Sequence, residues 1–272
     1  PFMVALVLVA AVVALLSLWW TSRPSARQTE SPATTTGLQL SAAATRYYYV
    51  GRAACATCHA KEDQMWQGSH HDLAMQEVNA STVLGDFADR KIAYNGIESR
   101  FFQRGGQFFV NTDGPDGKLA DYAIKYTFGV WPLQQYLIEF PGGRLQALSI
   151  AWDARSKDEG GQRWFHLYPH ERIDHKDSLH WTGQYQNWNL QCAACHSTNL
   201  KKGYEPANNI YKTSFSELNV SCEACHGPGS GHVDWASRAK APYRSGDDKG
   251  LAVLLHSRWS EAWKFPDAGA KY

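Results

Sequence analysis

Six cysteines and three of the eleven histidines fall in one repeated pattern, Cys-x-x-Cys-His. The copies are Cys55, Cys58 and His59; Cys192, Cys195 and His196; and Cys222, Cys225 and His226. Two thiols at this spacing can each form a thioether to one vinyl group of a porphyrin, and the next residue then sits beneath the iron as its proximal ligand. No cysteine is left over for a disulfide. A zinc ribbon would need two Cys pairs to converge and gives no reason for His after every second Cys. A thioredoxin-like dithiol needs one pair at the head of a helix in a βαβ unit. The pattern therefore predicts three covalently bound haems c and redox chemistry, with no separate catalytic residue singled out.

The far side of each iron decides the chemistry. A second His closes the site for electron transfer, and an open position admits a substrate. Eight further histidines exist: His70, His71, His166, His170, His175, His180, His232 and His256. His232 follows a Gly-Pro-Gly-Ser-Gly loop that can turn sharply around a porphyrin edge. His180 lies shortly before the second motif, and His70 and His71 lie after the first. These are the expected distal ligands, with the choice between His70 and His71 open. His166, His170 and His175 read as solvent-facing or as propionate partners. Met75 reads as core.

The elements between the motifs change character along the chain. Residues 60–67 continue the first motif as a helix with Trp66 facing inward, and 72–78 read as another short helix. Residues 81–153 hold neither Cys nor His and read as β. Aromatic-rich runs flank Gly105-Gly106, and a second pair of runs, 133–140 and 144–152, flanks Pro141-Gly142-Gly143. Both are hairpin signatures. The reading is an antiparallel meander of five or six strands between the first haem site and the other two. Residues 251–263 have helical apolar spacing.

Residues 2–20 are uncharged and almost wholly apolar. At helical rise they span roughly 28 Å, about the thickness of a bilayer's hydrocarbon. This predicts a retained signal anchor, and since haem is attached outside the cytoplasm, a haem region on the periplasmic side of the cytoplasmic membrane. Residues 23–45 are Ser-, Thr-, Ala- and Pro-rich, the composition of a tether. A net charge of +1 excludes a strongly basic nucleic-acid binder.

The stretches YVGRAACATCHAKEDQMWQGSHHDLAMQ, HWTGQYQNWNLQCAACHSTNLKKGY and VSCEACHGPGSGHVDW resemble the amino-terminal part of bacterial multihaem cytochromes c, related to cytochrome c-554 and pentahaem nitrite reductase. Such relatives usually carry further motifs and then tetratricopeptide repeats. The resemblance implies His71 and His232 as distal ligands; His180, from its place before the second motif, is the expectation for the remaining site. The nitrite reductases use a Cys-x-x-Cys-Lys motif at their catalytic haem, and none occurs here.

The expected architecture is α+β: short helices and long loops around three haems, an inserted antiparallel β-meander and one N-terminal transmembrane helix. Its parts are an anchor (1–21), a tether (22–46), a first haem module (47–80), a β-module (81–153), a second and third haem module (154–240) and a helical tail (241–272). The expected function is single-electron transfer with a membrane-embedded redox complex, a reaction centre or a soluble carrier. Two alternatives are an oxidoreductase acting on a small nitrogen or sulfur compound at one open haem, and a mainly structural haem-bearing subunit.

Overall fold

A computed structural model describes residues 47–238 and 248–255. The aromatic-rich runs form strands. Ile97–Arg104 (β3) and Gln107–Asp113 (β4) pair antiparallel across Gly105 and Gly106. Both glycines take positive φ, 59° and 79°, which a side chain would strain. In β4 the buried residues alternate: Phe108, Val110 and Thr112 point inward. Leu119–Phe128 (β5), Leu133–Phe140 (β6) and Arg144–Ala147 (β7) follow as successive antiparallel neighbours.

The sheet extends beyond these strands. Met75–Glu77 (β1) pairs with β5, and Arg90–Tyr94 (β2) lies beside β3. Ile150–Asp153 (β8) pairs with β6 and with Arg163–His166 (β9). Nine strands result, along the path β2-β3-β4-β5-β6-β8-β9, with β1 on β5 and β7 on β6. The two ends of the path meet, because the Tyr94 ring of β2 lies flat on His166 of β9 with centroids 3.5 Å apart. The body is sheet-rich and barrel-like.

This corrects the expected α+β architecture, in which helices and loops around the haems formed the body and the meander was an insert. Residues 72–78 show the reason locally. They form one tight turn, Asp72–Ala74, and then β1 rather than a helix. Met75 is buried, pairs with Phe128 and is followed by progressively exposed Gln76 and Glu77. The longest helix among the described residues, Ser230–Arg238, has nine residues.

The membrane placement is corrected as well. Among the described residues no helix is long and apolar enough to cross a membrane. Nine residues rise about 13 Å, under half of a bilayer's hydrocarbon. The expected anchor and tether lie outside the described residues, as does most of the expected helical tail; residues 251–255 are not helical.

Side-chain alternation along β6 divides the core into two clusters. Tyr136 and Ile138 enter one and Leu137 enters the other. In the larger cluster Phe87 meets the rings of Phe101, Phe108, Tyr136 and Trp164 edge-on, with centroids 5.0–5.5 Å away, the geometry that aromatic quadrupoles favour. The smaller cluster joins Met75, Phe128 and Leu137 to Trp188 and Ala193 of the second motif region. Phe87→Ala should lower stability by about 3–5 kcal/mol, read by urea denaturation followed by circular dichroism, whereas truncating the exposed Leu119 should change it by less than about 1 kcal/mol.

Candidate haem centres

The first motif begins on the helix Arg52–Ala56 and continues into the helix Ala60–Trp66. A helix start leaves N–H groups unpaired, and here no neighbouring side chain caps them. Residues far along the chain do so instead. Glu223 accepts from Val50 N at 2.9 Å and Gly51 N at 2.8 Å, and Glu217 accepts from Arg52 N at 3.0 Å. Glu223 also accepts from Gly229 N at 2.7 Å and is almost fully buried. Tyr48 and Ser230 exchange two further bonds: Tyr48 N donates to Ser230 Oγ at 2.9 Å, and Ser230 N donates to Tyr48 O at 3.2 Å. Trp66 Nε1 donates to Val220 O at 2.9 Å.

These bonds bring the first and third motifs together. Burial pushes the Cys55 thiol up to about 11, and neighbouring Cys222 and Glu223 add to the effect. One cleft of about 220 Å³ is lined by Cys55, His59, His71, Cys222, Cys225 and His226, among others. Of the two adjacent histidines it is His71 that lines this cleft, while His70 stacks on Trp131 at 6.4 Å. The His71 carbonyl accepts from Val220 N at 3.2 Å, which ties its main chain two residues from Cys222.

His232 comes to the first motif, not the third. Its ring lies 6.0 Å from that of His59, centroid to centroid. Its Nδ1 lies 2.9 Å from Lys249 O. A carbonyl only accepts, so Nδ1 carries the proton and Nε2 keeps the lone pair that a metal needs. The main chain of Gly250 passes close enough to Gly231 that a Cβ there would lie 2.4 Å from Gly231 O. Glycine is thus required next to the carbonyl that orients His232.

The second motif is set on the sheet. Asn187 caps the helix Trp188–Gln191 by accepting from Leu190 N, and the helix Ala193–His196 follows. Asn189 accepts from Leu145 N of β7 at 2.7 Å. His196 Nδ1 lies 2.9 Å from Ala74 O, beside β1, so it too presents Nε2 for metal. The edge of its ring packs on Phe128, centroids 5.3 Å apart.

His180 lies elsewhere. It is buried, with Nδ1 2.8 Å from Thr182 Oγ1 and Nε2 3.2 Å from Asp113 Oδ2. The small cavity beside it is lined by Tyr94, His166 and Trp181, among others, and by no motif residue. Burial works against ionisation of Asp113, but the hydrogen bond and charge of His180 outweigh it and hold the carboxyl below its usual range. His71 and His232 are therefore brought to the motifs, and His180 is not.

Sequence reasoning missed Glu223 as a structural partner. The sign was its place between two haem cysteines, where the other motifs carry only Ala and Thr. The carbonyls of Ala74 and Lys249 left no such sign.

Burial lowers the pKa of His166 to about 4 from the ordinary value near 6.5. As pH falls below that ordinary value, the unfolded chain takes up a proton that the folded one refuses until about pH 4, so stability is lost across this window. The urea midpoint should fall between about pH 6.5 and 4, and His166→Gln should make that decline shallower.

The donor set fits haem c: three pairs of thiols, each pair followed by an imidazole, with the Nδ1 protons of His196 and His232 already committed to carbonyls. The family described as cytochrome c554 and c-prime matches residues 54–94 and 155–227. No curated protein matches the chain. Among solved structures, outer cell wall cytochrome OcwA aligns at 21% identity with a TM-score of 0.44, covering 74% of this chain and 36% of that one. The chain thus spans about a third of that cytochrome's length. All three attachment motifs lie inside the residues matched by the cytochrome c554 family, and over those residues the chain is similar to the multihaem cytochromes c.

Proposed function

We propose that this electron-transfer haem protein carries three haems c and passes single electrons between other redox proteins, membrane-embedded or soluble. The observation that carries this reading is the His59–His232 pair. An iron held about 2 Å from each of two imidazole nitrogens, each about 1 Å from its ring centre, would set the centres about 6 Å apart. The observed separation is 6.0 Å. His59 and His232 are accordingly the residues that would hold the iron of the first haem. His71, on the cleft shared with His226, is assigned to the third. Bound haem supplies a one-electron couple, and two imidazoles hold it closed to substrate and at lower potential than a His/Met pair. The protein's part is to orient each imidazole through its Nδ1 proton and to keep the first and third sites adjacent.

A second reading has one observation in its favour. Both ring nitrogens of His180 are engaged away from the motifs, so among the described residues His196 lacks the opposing imidazole expected for it. An open second haem would suit an oxidoreductase acting on a small nitrogen or sulfur compound.

Haem content and an EPR spectrum of the oxidised protein separate the readings. Electron transfer predicts three haems, all low-spin; a stoichiometric high-spin signal favours the enzyme. His232→Ala should turn one haem high-spin, and His180→Ala should leave the spectrum unchanged. An unaltered spectrum in the His232 variant would remove the pairing with His59.

A further inference from the structure

Glu223 is a charged side chain inside a haem attachment motif, yet most of its bonds go to the residues that lead into the helix of a different motif. It is 2% exposed. Its oxygens accept from Val50 N, Gly51 N and Gly229 N at 2.7–2.9 Å. Every partner is a main-chain amide, and no ion pair to Glu223 occurs among the described residues. The nearby cation, Arg52, is paired with Asp63 instead. Burying a carboxylate without a cation is costly unless donors converge on it. Here they do, and they belong to both the first motif's helix start and the loop that leads to His232.

We propose that Glu223 is the positioning residue of the first haem site and a fixed negative charge shared by the first and third haems. Through Val50 and Gly51 it sets the helix that carries Cys55. Through Gly229 it sets the loop that delivers His232 to His59. Both components of the first site, the attachment helix and the distal imidazole, are thus referenced to one carboxylate located in the third motif. A negative charge in a buried site favours the oxidised iron over the reduced one by Coulomb attraction. Glu223 therefore holds the potentials of the two adjacent haems below what a neutral residue would give. The second haem, set on the sheet through Asn189 and Ala74, lies outside this arrangement.

The inference rests on the reading that the first and third motifs carry haem. Peptide mass spectrometry of the unaltered protein checks that reading by itself: motif peptides without haem would defeat the function, not the role of Glu223. The test of Glu223 is the variant Glu223→Gln, with haem mapped peptide by peptide and midpoints measured by potentiometric titration. With all three haems present, one or two midpoints should rise while another stays fixed. Unchanged midpoints, or an equal shift in all three, would overturn the proposal. If the variant loads incompletely, loss confined to the Cys55–Cys58 peptide supports the positioning role, and loss at any other motif overturns it. Glu223→Asp keeps the charge on a shorter stem. It should retain low midpoints where haem is loaded while weakening attachment at the first motif; raised midpoints in it would exclude the charge effect.

Discussion

A carboxylate withdrawn from water must be met by donors, and the neighbourhood of Glu223 is arranged by that requirement. Its three amide partners come from two stretches of chain that are 172 residues apart in the case of Gly51 and six apart in the case of Gly229. Closing a loop of the longer span costs about 4–5 kcal/mol in chain entropy by the logarithmic rule. Two hydrogen bonds to a charged group return about as much. The junction of the first and third motifs is therefore sustained by the carboxylate together with Glu217, Ser230 and the indole of Trp66, and not by a hydrophobic core of its own.

The second motif is held differently. Trp188 and Ala193 belong to the apolar cluster built on Met75, Phe128 and Leu137, so this haem site shares its packing with the sheet. The sheet's other face is closed by the Phe87 aromatic cluster, which needs no porphyrin to complete it. Two modes of support thus operate in one chain, polar bonds at the paired first and third motifs and apolar packing at the second.

What the sequence displayed depended on range. The three attachment motifs were legible because covalent chemistry confines five residues to one contiguous pattern. The β3–β4 hairpin was legible because its turn glycines and its aromatic runs are neighbours in sequence. The extent of the sheet was not, because Met75 joins it through a partner far away in the chain, Phe128. The expected role of His180 rested on its nearness to the second motif in sequence, while its partner in space, Asp113, lies 67 residues earlier. Main-chain acceptors such as the Ala74 and Lys249 carbonyls are invisible in principle, since every residue type offers one.

The dependence of the first site on Glu217, Glu223 and His232 has a consequence for biosynthesis. A chain emerges from its amino end, so Cys55 and Cys58 appear well before the residues that cap their helix and before the imidazole that faces His59. The nascent first motif is an open, uncapped segment until Glu217 and Glu223 have emerged. The machinery that attaches haem meets it either as a pliable peptide or, after the last quarter of the described chain has arrived, as part of a finished junction. The second motif faces no such delay, because the strands that seat it have all emerged before it does.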